Sequence, residues 1–305
     1  MTKLKEQTIQ YIKATDATTH YYELAPTKAR ATRAVPKWES STVPQLANIT
    51  DQQIQVRDGA FINIRIYKPS LDEKLPIVVY YHGGGWVFGD LQSADAGCQL
   101  LAAKAQAIVI SVDYRLAPEY KFPTPLHDAY DALLWAAGHA NELGGDPTNI
   151  SVAGDSAGGN LATVVTILAQ QQNGPKLHAQ ALIYPVTNLD FTTSSYDTYG
   201  QHYGLDKTGM EWFSQHYADK EEHFNPLISP LQTTDLHGLP KTLIIAAEAD
   251  VLFDEGIAYA NRLKEQDVFT SHITLNGLVH SYFSKMDYFE TATIETVDLI
   301  ADFIK

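Results

Sequence analysis

Ser156 stands in Gly154-Asp155-Ser156-Ala157-Gly158, a Gly-x-Ser-x-Gly spacing. A chance match is expected in roughly 5% of chains of this composition, so the flanks decide its weight. Asn149-Ile-Ser-Val-Ala153 before it reads as a strand, and Gly159-Asn-Leu-Ala-Thr-Val-Val after it reads as a helix. A serine on a tight strand-to-helix turn is held out as a nucleophile, and the helix N-terminus favours negative charge beside it. A second cluster, His82-Gly83-Gly84-Gly85-Trp86, follows an apolar run. Three glycines there free backbone N–H groups to face a ligand, which acyl transfer needs for the oxygen that turns anionic. The N–H of Ala157, just after the serine, is the further donor expected. A phosphate-cradling loop is the rival reading, but no Gly-Lys-Ser/Thr follows and the net charge is −14.

A serine needs a base, and the base needs an orienting carboxylate, in the chain order Ser, acid, His. His223, His237, His272 and His280 are the histidines to weigh. His237 precedes the strand that would carry the acid, and His272 sits inside a strand pattern. His280 lies in a loop just beyond that strand, at the edge where it can meet Ser156. Three carboxylates end the preceding strand: Glu248, Asp250 and Asp254. Asp250 is favoured for its short side chain, with Glu248 and Asp254 as rivals and Asp254 suited to a helix start. Other conspicuous residues read as structural: His82 as a prop for the glycine loop, Asp155 as a hydrogen-bond acceptor at the turn, and Arg115 as an ion-pair partner. His127-Asp128 reads as a solvated pair, and Cys98 as core packing.

The elements that must position these residues form an α/β pattern. Gln53–Val56 and Ile62–Ile66 alternate about Asp58-Gly59, which predicts a hairpin with one wet face. After Pro76, apolar runs without alternation recur at 77–81, 107–112, 150–154, 179–184, 242–247 and 271–275. Helical patterns such as 126–137 and 161–171 separate them. Such runs suit strands covered on both faces by crossover helices. The expectation is one domain over 1–305, with about eight mostly parallel strands. Residues 1–48 and the aromatic-rich insertion 186–235 fall outside that rhythm and are expected to form a helical cap.

With 36 acidic and 22 basic residues, the chain repels phosphate backbones, which argues against a nucleic-acid partner. One cysteine, Cys98, allows no internal disulfide and no cysteine-built zinc site, and fits a reducing compartment. The first ten residues have no apolar core of a signal peptide, and no apolar run reaches membrane-spanning length. A soluble cytoplasmic protein with no membrane partner is expected. An uncovered strand 271–275 at the sheet edge would allow a homodimer.

At these residues the sequence resembles the hormone-sensitive-lipase-like family of α/β-hydrolases, the bacterial family IV carboxylesterases. The resemblance runs from about Pro76 to the C-terminus. It rests on residues 82–86, Tyr-Arg-Leu-Ala-Pro-Glu at 114–119, Gly-Asp-Ser-Ala-Gly-Gly-Asn at 154–160, Ser-Pro at 229–230, 250–254, and Gly-Leu-Val-His at 277–280. It implies the α/β-hydrolase fold with a cap, and a triad of Ser156, Asp250 and His280. It also implies Gly84, Gly85 and Ala157 as oxyanion donors, with Gly83 in support. Two positions depart from the family pattern: Val251 stands where proline is common, and Ser281 where glycine is common. The expected activity is hydrolysis of short-acyl carboxylic esters through an acyl-enzyme, with no metal ion and no cofactor. Trp86, Phe88, Tyr184 and Trp212 are expected to line a compact apolar pocket. An amidase or peptidase, a carbohydrate deacetylase, or a ligand-binding receptor on the same fold are the alternatives.

Overall fold

The computed structural model describes residues 3–16, 18, 20–32, 43–71 and 74–305. Part of the expected cap, residues 33–42 above all, lies outside these.

Period-two alternation builds the first two strands. Ile62, Ile64 and Ile66 are buried while Phe61 is exposed, and the strands β1 (Asn48–Gln55) and β2 (Phe61–Lys68) pair antiparallel across the Asp58-Gly59 turn. The apolar runs become β3 (Leu75–Tyr81), β4 (Ile108–Asp113), β5 (Gly145–Asp155), β6 (Ala179–Ile183), β7 (Lys241–Ala249) and β8 (Thr270–Val279). The sheet order is β1-β2-β4-β3-β5-β6-β7-β8, and every pair from β4 onward is parallel. The order reverses beside β3 and β5, whose carboxyl ends therefore open onto a crevice.

Burial explains why these runs do not alternate. Ile77, Val79 and Tyr81 of β3 face one core, shared with α4 (Thr124–Gly138), α5 (Ala157–Gln171) and α8 (Phe253–Glu265). Val78 and Tyr80 face a second core, shared with α3 (Leu91–Ala105) and α9 (Met286–Phe303). Cys98 is buried in the latter. Asp128 corrects the expectation of a solvated pair. It is fully buried, and its carboxylate accepts from the Arg115 guanidinium at 2.6 and 2.8 Å. Arg115 also reaches Asp58 at 2.8 Å, which fastens the hairpin turn to α4.

The N-terminal segment contributes α1 (Glu6–Asp16), a short turn at Tyr21–Glu23 and α2 (Pro26–Thr32). The insertion contributes α6 (Ser194–Tyr199) and α7 (Lys207–Tyr217). The two segments meet each other: the Tyr21 ring stacks on Phe213 at 5.0 Å, and the Tyr22 hydroxyl donates to Asp206 at 3.0 Å. Both lie beside the glycine loop. Arg30 of α2 donates to the Val87 carbonyl at 2.7 Å and pairs with Glu119 at 2.7 Å.

Candidate active site

β5 ends at Asp155, and α5 begins at Ala157. Between them Ser156 has φ +56°, a conformation that costs about 1–3 kcal/mol for a residue with a side chain. The surroundings hold it there. Its N–H donates to the Ile183 carbonyl at 2.9 Å, and its carbonyl accepts from Asn160 at 2.9 Å and Val186 at 3.2 Å. Gly158 lies so close to the Tyr81 backbone that a Cβ there would collide with it. Strand and helix can approach only because that position has no side chain. Buried Asn160 donates to the carbonyls of Val186 at 2.9 Å and Ile228 at 2.8 Å, tying both ends of the insertion to the turn. In the sequence Asn160 stands out only as the last residue of the motif at 154–160.

His280 follows β8. Its Nδ1 lies 2.6 Å from Asp250 Oδ2, and its Nε2 lies 2.8 Å from Ser156 Oγ. A carboxylate can only accept, so Nδ1 carries the proton and Nε2 is left to accept from the serine hydroxyl. All three residues are under 8% exposed: Ser156 7%, Asp250 2% and His280 4%. The rival carboxylates are committed elsewhere. Glu248 accepts from the Gly277 N–H at 2.7 Å, and Asp254 accepts from the Ser195 N–H at 2.8 Å. Glu248 thus steadies the loop that carries His280. So does α1, whose buried Thr8 donates to the Gly277 carbonyl at 2.7 Å. The remaining histidines lie apart: His237 is exposed, His272 sits within β8, and the His223 carbonyl accepts from Ser229 Oγ at 2.5 Å.

The glycine loop faces this line. The N–H groups of Gly84, Gly85 and Ala157 donate to no other group among the described residues. Gly83 is different, and corrects its placement in the oxyanion hole. Its N–H donates to Asp155 Oδ1 at 2.9 Å and is therefore spent. The same oxygen accepts from the Tyr80 hydroxyl at 2.7 Å. Burial pushes the Asp155 carboxyl up, against the Tyr80 hydroxyl, the nearby His82 and the Gly83 amide. His82 Nδ1 lies 2.8 Å from the Gly83 carbonyl, and its ring stacks on Tyr114 at 4.3 Å.

Glu255, in the first turn of α8, is a further buried acid here. It accepts from the N–H groups of Thr187 at 2.7 Å and Asn188 at 3.1 Å. Burial pushes its carboxyl well up against those two amides. It joins the start of the insertion to the turn that carries Asp250. A glutamate five residues after Asp250 was the available signal, but nothing local shows that it points inward.

A cavity of about 260 Å³ opens over Ser156 and His280. Of the four aromatics expected on its wall, Phe88 is there and three are not. Trp86 has φ +59°, which turns its ring into the core to stack on Tyr217 at 4.2 Å. Trp212 stands behind Phe88, 5.7 Å away, because its neighbour Phe213 occupies the inward face of α7. Tyr184 backs the His280 ring at 4.5 Å instead of facing the cavity. Tyr21, Leu205, Met210 and Phe213 line the wall in their place. Among the described residues, no three His, Cys, Asp or Glu side chains converge as a metal site, and no helix is long and apolar enough to cross a membrane.

Comparison with known proteins shows what the whole chain is similar to. The chain is 38% identical over 275 residues to an arylesterase of Saccharolobus solfataricus, covering 90% of this chain and 87% of that one. Among solved structures, an ester-hydrolase from the metagenome of Lake Arreo, complexed with a bipyridine phosphonate derivative, superposes with a TM-score of 0.93 at 31% identity. That match covers 99% of this chain and 98% of the other. The esterase of Pyrobaculum calidifontis superposes with a TM-score of 0.89 at 36% identity, with the same coverage. Residues 78–284 match the sequence model of the α/β-hydrolase fold, and the chain belongs to that family.

Proposed function

We propose that this protein is a serine carboxylesterase for short-acyl esters. The observation that carries the reading is the Ser156–His280–Asp250 line, spaced at 2.8 and 2.6 Å, facing the uncommitted amides of Gly84, Gly85 and Ala157. His280 Nε2 takes the proton from Ser156 Oγ as the oxygen attacks the ester carbonyl. Asp250 holds the imidazole in the required tautomer and stabilises the imidazolium. The three amides receive the oxyanion. His280 then hands its proton to the departing alcohol, leaving an acyl group on Ser156. Water deprotonated by the same imidazole releases the acid. Residues 1–48 and 186–235 act in this reading as a cap.

The acyl preference follows from volume. A cavity of about 260 Å³ lies just below the roughly 300–1,000 Å³ of sites for drug-sized ligands, and the packed rings of Tyr21, Phe88 and Phe213 close one side of it. Hydrolysis of p-nitrophenyl esters from acetate to palmitate tests this. The value of kcat/KM is expected to peak at the short chains and to fall away before palmitate. A maximum at palmitate would overturn the compact pocket, and cleavage of the matching anilide in place of the ester would point to an amidase.

The proposal extends to a cytoplasmic homodimer. The single thiol, Cys98, is buried and needs no oxidising compartment, and β8 is an outer strand of the sheet. Light scattering of the purified chain should give twice the 33.8 kDa chain mass, and a monomer at micromolar concentration would sink the dimer.

A further inference from the structure

The cavity over Ser156 has two unlike ends. One is made of Tyr21, Phe88, Met210 and Phe213, with Tyr21 edge-on to Phe88 at 5.5 Å. At the other, the turn after His280 meets the N-terminal part of α3. The Phe283 ring lies where a side chain at Gly97 would go. There the wall is polar, with Asp90, Ser93, Ser281, Ser284 and Lys285.

Most of this polar capacity is already used. Ser93 N–H donates to Asp90 Oδ1 at 2.7 Å, and Ser93 Oγ donates to the Asp90 carbonyl at 2.7 Å. Ser284 Oγ donates to the Ser281 carbonyl at 3.2 Å. Ser281 is the exception. Its hydroxyl has no hydrogen-bond partner among the described residues, and it does not cap the short turn Tyr282–Ser284 that it precedes. Its backbone has φ +68°, a region that favours glycine. A serine therefore stands where glycine would be more comfortable, on the cavity wall, with its hydroxyl uncommitted.

Its place in the chain says which part of an ester it meets. The imidazole that takes the Ser156 proton must deliver it to the leaving oxygen, so the alcohol departs on the His280 side. Ser281 is the next residue. The oxyanion lies across the site, toward Gly84, Gly85 and Ala157. We propose that the polar end receives the alcohol portion of the ester and that Ser281 Oγ hydrogen-bonds a hydroxyl on it. The preferred substrates are then short-acyl esters of neutral, hydroxylated alcohols of the glycerol or sugar type. Asp90 and Lys285 bring opposite charges to this end, which suits a neutral polyol better than an ionic alcohol. A hydroxyl both donates and accepts, so it complements another hydroxyl whichever way the proton points.

The inference rests on the esterase reading above, and one pair of substrates separates the two. Glycerol monobutyrate and propyl butyrate share an acyl group and a three-carbon alcohol, and differ in two hydroxyls. The ratio of their kcat/KM values is read in the wild type, Ser281→Gly and Ser281→Ala. Glycine suits the left-handed backbone, so that variant keeps the turn, while alanine removes the hydroxyl and retains Cβ. The wild type is expected to favour the monobutyrate by about tenfold, the worth of one good neutral hydrogen bond. Both variants should bring the ratio toward one. A ratio unchanged in both variants, an equal loss on both esters, or a wild-type preference for propyl butyrate overturns the subsite. Cleavage of neither ester by the wild type overturns the esterase reading, and the subsite with it.

Discussion

Ser156→Ala is expected to lower turnover of p-nitrophenyl butyrate about a million-fold and to abolish the initial burst of nitrophenol. The size follows from the line of three side chains acting as one unit. Without Oγ there is nothing for His280 Nε2 to activate, so Asp250 and the imidazole lose their purpose together. What remains, roughly 10³-fold over water, comes from binding and the oxyanion amides. Folding should hardly respond. Among the described residues Oγ hydrogen-bonds only His280, and alanine keeps the Cβ that the turn already accommodates at φ +56°. The thermal midpoint of the variant is the control. Turnover that survives in a folded Ser156→Ala protein would assign the chemistry to another nucleophile.

The parts of this site that sequence made legible are those whose signal is local. β3 shows as the unbroken run Ile77–Tyr81 because both its faces are covered, and Ser156 announces itself through glycines two residues either side. The acid was harder for a physical reason. Glu248, Asp250 and Asp254 lie within seven residues, and their directions depend on how β7 ends. Only the fold sends Glu248 to Gly277 and Asp254 to Ser195, leaving Asp250 for His280. The pocket was misread for the same kind of reason. Trp86 follows the glycines closely, yet a positive φ reverses it into the core. Trp212 and Phe213 differ by one residue, which on a helix is about 100° of rotation, so one faces the cavity and the other backs it. Tyr21 reaches the wall from the N-terminal segment by a contact no local pattern encodes.

Asp155→Ala is expected to cut kcat about 100-fold while KM for a short ester changes little, and Asp155→Asn is expected to restore most of the loss. Asp155 touches no reacting atom, so it is a positioning residue. Its Oδ1 receives both the Gly83 N–H and the Tyr80 hydroxyl, and so ties the glycine loop to the strand that carries Ser156. Gly84 and Gly85 come next in the chain, and their amides work only if they point at the place where the oxyanion forms. Losing one such donor costs roughly 10²–10³ in turnover, which sets the scale for letting the loop drift. The ground-state carbonyl uses these donors less than the oxyanion does, so the loss falls on kcat. Asparagine keeps an oxygen for the Gly83 N–H without the charge. Because burial raises the Asp155 carboxyl, its ionisation opposes folding: the stabilising contribution belongs to the protonated form and is lost as pH rises through the folded-state value. Asp155→Asn should therefore melt no lower than the wild type at pH 7, and the gap should close toward acid, where the wild-type carboxyl also takes up its proton. A residue that only filled space would give a different pattern. Alanine would then lower the melting temperature with kcat unchanged, and asparagine would rescue nothing because nothing catalytic had been lost.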